Sequence, residues 1–320
     1  MNSSRTIARQ NRPTVRRLAG RKFPLPNALR RLTVFTGLSL IGIALCLSAG
    51  LAAEPQIAGD LARSGWEYRR LDLKEPVPNR AHLFRADLQS GKVGGGVIVA
   101  PDPDGNGPAE ASLTNPLKLG DDPRVVAFVN ANPWDAVPDG EGRRNRRWYA
   151  GQPVDISGLA AAGGKILSPP QRGYPSVWFD DAGRIRLDDA APPEAIRDGI
   201  AGFGWLVRDG KPCVESGGPR HPRTAVGVGK EDRALLLAVV DGRQPGFSEG
   251  MTLEELARLL AEQGCFNAIN LDGGGSSVMA LRTAGSELQV INSPSDRLLG
   301  VKPVMRPVPV LLIVRATKAD

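Results

Sequence analysis

Apolar residues in this chain come in short runs, and glycine, proline, asparagine or aspartate closes most of them. Short runs rich in β-branched residues read as strands, and the punctuation between them as turns. Strands are predicted at 65–73, 82–88 and 96–99, followed by a Pro/Asp/Gly turn at 102–107. The run RVVAFVN at 124–130 is typical of a buried strand, and Asn130-Ala131-Asn132-Pro133-Trp134 follows it as a loop. Residues 175–179 and 184–187 predict a hairpin over Asp180-Asp181-Ala182-Gly183, and 192–198 predicts one or two helical turns. Further strands are predicted at 204–208, 224–229 and 234–240. The run 304–314 opens with prolines and ends in PVLLIV, a closing strand whose prolines suit an edge or a first position.

One segment has a different period. Leu253, Leu256, Leu259 and Leu260 make a single apolar stripe at helical spacing. Thr252 with Glu255 is a capping box at its start, and Gly264 is placed as the residue that ends it. A short apolar run at 266–269 then reads as a buried strand. Strand, helix, strand over 234–271 resembles a βαβ crossover, which would make the two strands parallel neighbours. The other strands are short and turn-separated, which suggests antiparallel pairing. The expected fold is therefore α+β, a mixed β-sheet domain with a few helices and one βαβ-like unit near residues 234–271. No repeat of 20–50 residues appears, which disfavours a solenoid or propeller.

Charge changes the picture only through its location. The 320 residues carry 41 Lys and Arg against 34 Asp and Glu, a formal charge of +7. Nine of the basic residues lie within 1–32, which holds no acid, and 33–53 is uncharged. Residues 54–320 thus hold 32 basic and 34 acidic groups, a net of −2, and the hint of nucleic-acid binding disappears. The leader has the order of a secretory signal: a basic region, an apolar run from Leu32 to Leu51, then Ala52-Ala53. Its length also allows a membrane anchor, the only membrane contact expected. Arg16-Arg17 and Arg30-Arg31 invite a twin-arginine reading, and Leu45 before Cys46 argues against a lipoprotein site. The expectation is an exported protein, periplasmic or extracellular. Cys213 and Cys265 could pair in an oxidising space, or Cys265 could be a buried thiol. His82 and His221 fit no zinc pattern, so no metal or other cofactor is expected.

Candidate chemistry sits at strand ends. Asp272 follows the 266–269 run and precedes Gly273-Gly274-Gly275-Ser276-Ser277, so an acid, amide donors and hydroxyls share one short segment. Consecutive N–H groups in such a turn can form an anion-binding nest, although the same residues also make a plain glycine-rich turn. Asn130 with Asn132, Asp241, and Asn270 with Asp272 each end a predicted strand. Any one of them alone is an ordinary turn residue. Arg220, Arg223 and Arg243 flank the same ends, and a guanidinium fork suits phosphate oxygens. Glu249 lies before the helix, where an acid also favours the positive end of the helix dipole.

Arg223-Thr224-Ala225-Val226-Gly227, then LLLAVVDGRQ, then Gly250 to Ala257, then Asn270 to Ser277, then Val290-Ile291-Asn292-Ser293-Pro294-Ser295-Asp296 resemble the phosphodiester glycosidase family in order and spacing. The resemblance covers about 120–315 and divides the chain into a leader (1–53), an N-terminal part of the domain (54–119) and a catalytic region (120–320). It implies hydrolysis of a sugar-1-phosphodiester between the anomeric carbon and the phosphate. An oxocarbenium-like transition state requires a carboxylate near that carbon. Asp272 and Asp241 would be the carboxylates, with Arg223, Thr224 and Arg243 on the phosphate and Gly273–Ser277 as donors. Asn130, Asn132 and Asn270 would orient the sugar or the acids. Glu249, a substrate-side candidate, stands where the family often has a basic residue. Pro133-Trp134 and the arginine-rich 143–147 also depart from the pattern, which puts the substrate in doubt rather than the reaction class. A glycan-binding protein of an exopolysaccharide system and a phosphodiesterase cleaving P–O remain the rival classes.

Overall fold

Two antiparallel sheets face each other across an apolar layer, and the alternation along each strand decides which side chains enter it. The computed structural model describes residues 59–105, 107–189, 196–282, 286–298 and 301–317. All of them belong to one unit, Ala53–Asp320. The first sheet runs in the order Trp66–Leu73, Asn79–Asp87, Ala234–Val240, Arg223–Val228, Asn267–Asn270, Gly204–Arg208, Lys211–Pro212. The second runs Leu288–Val290, Met279–Arg282, Val125–Asn130, Val310–Ala316, Val93–Val99. Phe84, Val226, Leu237 and Ile269 of the first sheet meet Val129, Met279 and Leu312 of the second. A further five-stranded sheet adds Val177, Phe179 and Ile200 to the same core.

The opposite face of the first sheet is covered by the predicted helix, Leu253–Glu262. Thr252 Oγ1 accepts from the Glu255 N–H at 3.2 Å, and the Glu255 carboxylate accepts from the Thr252 N–H at 3.1 Å. Gly264 takes φ +85° just past the helix end. Leu256 and Leu260 are fully buried on Ala81, Ala225 and Ala238. Each such leucine contributes roughly 1.5–3 kcal/mol by leaving water.

Several expectations change here. The chain is mostly β-sheet with few helices. Every strand pairing among the described residues is antiparallel, so the sheets are not mixed. Ala234–Val240 and Asn267–Asn270 do run in one direction, but Arg223–Val228 lies between them and pairs antiparallel with both. The turn at 229–233 folds Arg223–Val228 back against Ala234–Val240 first, and the helix then carries the chain past it. The closing strand, Val310–Ala316, is interior rather than an edge. Pro303, Pro307 and Pro309 all precede it, so no ladder donor is lost. Asp198 opens a strand, Asp198–Ala201, where a helical turn was expected, and 192–195 fall outside the described residues.

The N-terminal part is woven into both sheets. Asn79–Asp87 pairs with Ala234–Val240, and Val93–Val99 pairs with Val310–Ala316. The leader lies outside the described residues, among which no helix is long and apolar enough to cross a membrane. Cys213 and Cys265 are both free thiols, the first exposed and the second buried.

Candidate active site

The ends of the central strands converge because the two sheets are tied there by one side chain. Asn130, at the end of Val125–Asn130, is fully buried. Its Nδ2 donates to the Asp272 carbonyl at 2.6 Å. Its Oδ1 accepts from Thr224 Oγ1 at 2.8 Å and from the Val278 N–H at 3.1 Å. The Asp272 N–H in turn donates to the Ala131 carbonyl at 3.0 Å. Asn130, expected to orient the sugar or the acids, and Thr224, expected on the phosphate, together clamp the loop that carries Asp272.

The three glycines have separate neighbours. A Cβ at Gly273 would stand 2.9 Å from the Pro222 carbonyl, and one at Gly275 would meet Arg306 Nη2 at 2.1 Å. Gly274 has φ +62°, and a Cβ there would stand 3.2 Å from Arg243 Nη2. Residues Gly274–Ser276 form one 3₁₀ turn. The amides of Gly274, Ser276 and Ser277 donate to the carbonyls of Pro222, Gly273 and Gly274. The expected nest of amide donors over Gly273–Ser277 is therefore reduced, because the turn consumes two of them and Pro222 a third.

Asp272 retains some exposed surface, yet its surroundings push the carboxyl up to about 6. Burial is the cause, partly offset by Ser276, the Arg306 charge and the Gly273 amide. The Ser276 hydroxyl stands near the carboxylate without closing a well-formed hydrogen bond. Arg306 forms a bidentate pair with Asp296 at 2.9 and 3.1 Å.

Asp241 has a different environment. It is 1% exposed, and its Oδ1 accepts from the Ser293 N–H at 2.8 Å and from Asn292 Nδ2 at 3.2 Å. Its Oδ2 faces His82 Nε2 at 3.2 Å, and His82 Nδ1 faces the Tyr68 hydroxyl at 2.9 Å. Burial, then the Asp241 charge, pushes the Tyr68 phenol up to about 12, and the His82 ring bridges Tyr68 to Asp241. Asn292 also donates to the Ser277 carbonyl at 3.1 Å and accepts from the Met279 N–H at 2.9 Å. Asp241 thereby fixes the far side of the glycine turn.

Beside Gly274 lie two arginines and a histidine. Arg243 Nη2 stands 3.4 Å from His221 Nδ1. Arg223 donates to the carbonyls of Met251 and Pro219 at 2.9 and 3.0 Å. Among the described residues neither arginine has a carboxylate partner. Burial and then Arg243 lower the Arg223 pKa, and burial followed by both arginines lowers that of His221. Arg220 is neutralised by Glu255. The result is a locally positive, partly enclosed end to the site, suited to an anion.

The remaining candidates sit at the margin. Asn132 donates to the carbonyls of Ser157 and Leu159 at 3.1 and 2.8 Å and so supports that loop. Asn270 is 8% exposed, and its Oδ1, like Asn132 Oδ1 and Ser277 Oγ, has no partner among the described residues. Glu249 accepts from the Gly246 N–H at 3.1 Å and closes a turn. His82, Tyr68 and Asn292 were not expected at the site. His82 was visible only as one of two histidines, and Asn292 only as part of a motif. Among the described residues no cluster of His, Cys, Asp and Glu could hold a metal ion.

The family model of the phosphodiester glycosidases matches residues 124–315. The chain belongs to the phosphodiester glycosidase family. A prophage-derived uncharacterised protein of Bacillus subtilis is 30% identical over 185 residues, 54% of this chain and 26% of that protein. Mouse N-acetylglucosamine-1-phosphodiester α-N-acetylglucosaminidase is 34% identical over 100 residues, 26% of this chain and 19% of that enzyme. The alignments thus span about a quarter or less of these curated relatives. The zebrafish enzyme's catalytic domain, solved in a form auto-inhibited by its pro-peptide, shares the fold. It has a TM-score of 0.56 at 20% identity, covering 78% of this chain and 83% of that one. Asp272, Asp241, Arg223, Arg243 and Asn292 lie within the family-matched region, while Tyr68 and His82 lie outside it.

Proposed function

We propose that this protein hydrolyses the glycosidic C–O bond of a sugar-1-phosphodiester in an envelope or extracellular glycan, after export by its leader. The observation that carries this reading is the placement of Asp272, and of a cationic end built from Arg223 and Arg243, against one glycine turn. A glycosyl phosphodiester has the matching polarity, an electron-poor anomeric carbon beside an anionic leaving group. In the reaction the C1–O bond breaks, the phosphomonoester departs with the electron pair, and water supplies the new hydroxyl at C1. Phosphate leaves readily, so an ionised Asp272 serves the developing positive charge at C1. The arginines hold the departing phosphate. Asp241 is enclosed, and its role in this reading is to position the turn.

The test uses purified 54–320 with a panel of sugar-1-phosphodiesters in ¹⁸O-labelled water. Label in the released sugar supports C–O cleavage, whereas label in the phosphate assigns the P–O alternative. Asp272→Asn is expected to lower kcat/KM by about 10³-fold or more. Turnover that survives this change would remove Asp272 from the chemistry. Export is checked separately by fractionating cells that express the full chain; cytoplasmic retention counts against that part of the proposal.

A further inference from the structure

The segment Asn270–Gly274 has two unlike flanks. At one end Gly274 abuts Arg243. At the other, the Asn270 carbonyl accepts the Phe203 N–H at 2.8 Å. Asp272 lies midway, and four residues reach at most about 14 Å. Phe203 is 51% exposed, a large apolar side chain left in water beside the site. Its ring leans on Tyr174, with centroids 6.4 Å apart and planes inclined by 39°.

The backbone beneath the pair is tightly fixed. A Cβ at Gly202 would stand 2.4 Å from the Asn270 carbonyl, so only glycine lets the Phe203 segment come this close. The Gly202 N–H donates to the Pro175 carbonyl at 3.0 Å, next to Tyr174. Tyr174 also presses on Gly158, where a Cβ would meet its Cβ at 2.9 Å. Gly158 belongs to the loop that Asn132 holds through the carbonyls of Ser157 and Leu159. Asn132 follows Ala131, whose carbonyl accepts the Asp272 N–H. The aromatic pair and the carboxylate are therefore fastened to the same short stretch of backbone.

We infer that Phe203, braced by Tyr174, is the stacking platform for the sugar ring. This rests on the proposed reaction. If the phosphate lies at Arg243 and the anomeric carbon at Asp272, the ring extends the other way, towards Asn270 and Phe203. The C–H face of a pyranose is apolar, and covering it with an exposed phenyl ring removes both surfaces from water.

The experiment pairs kinetics with calorimetry. Methyl phosphodiesters of glucose, galactose and N-acetylglucosamine 1-phosphate are the substrates, and inorganic phosphate probes the cationic end. Binding is measured on Asp272→Asn protein, so it needs no turnover. Adding Phe203→Ala is expected to weaken diester binding about tenfold while phosphate binding stays within about twofold. In the active enzyme Phe203→Ala raises KM more than it lowers kcat, and Phe203→Tyr restores both. Diester binding unchanged by Phe203→Ala, or phosphate binding weakened equally, overturns the platform. Turnover with an unchanged KM in Phe203→Ala removes the platform and leaves the reaction standing. Phe203-dependent sugar binding without turnover keeps the platform and removes the reaction. Neither binding nor turnover with any diester overturns both.

Discussion

At the scale of single residues, the two aspartates that look alike in sequence separate by environment. Asp272 keeps some surface and has a carboxyl raised to about 6, while Asp241 is enclosed by Ser293, Asn292 and His82. If Asp272 acts ionised, kcat/KM falls on the acid side with an apparent pKa near 6, and a pH–rate profile checks this. The same shift has a consequence for stability. A carboxyl raised above its usual 3.8 contributes fully below that pH and loses its contribution as pH rises through about 6. Asp272→Asn should therefore match the parent near pH 3.5 and be more stable at pH 8 by about 1–3 kcal/mol. Thermal melts at the two pH values read this directly; equal melting temperatures at pH 8 would contradict the cost assigned to the charge. Asp241→Asn behaves oppositely. It places an NH₂ against groups that already donate, costs about 1–3 kcal/mol of stability, and lowers kcat of the folded protein less than Asp272→Asn does. Parallel denaturation and kinetic measurements separate the two.

At the scale of elements, the joint between the sheets is concentrated in Asn130. Asn130→Ala leaves the Thr224 hydroxyl, the Val278 amide and the Asp272 carbonyl without their partner. The expected loss is about 2–4 kcal/mol in a urea titration. The helix Leu253–Glu262 has a cheaper weak point. Thr252→Ala removes the Oγ1 cap and should cost about 1 kcal/mol with no change in kcat. The sequence carried this helix in full, because cap, stripe and terminating glycine are all local. It also carried most strands of the first sheet. It missed Met279–Arg282, since the glycine and serine run just before it reads as loop rather than as a strand entrance. It also missed that the glycine turn spends its own amides, because a nest and a 3₁₀ turn share one composition.

At the scale of the whole molecule, the family-matched region does not stand alone. Asn79–Asp87 lies inside the first sheet and supplies His82, which holds Asp241 from below. Removing residues up to 100 from the chain would expose Ala234–Val240 and Val310–Ala316 as new edges. That truncation is expected to be insoluble or unfolded, whereas 54–320 folds, and circular dichroism of both proteins checks this. By itself the sequence determined what is local: the strand runs, the capped helix, the basic leader, and a carboxylate set before three glycines. Only the tertiary structure decided what those residues do. Hydrogen bonds across 51 to 159 positions in the chain hold Asn130 and Asp241 beside the glycine turn and bring in His82. Long-range packing enclosed Asp241, partly buried Asp272 and, among the described residues, left Arg223 and Arg243 without a carboxylate partner. Such outcomes depend on which strand ends meet in space, and periodicity along a chain carries no information about that.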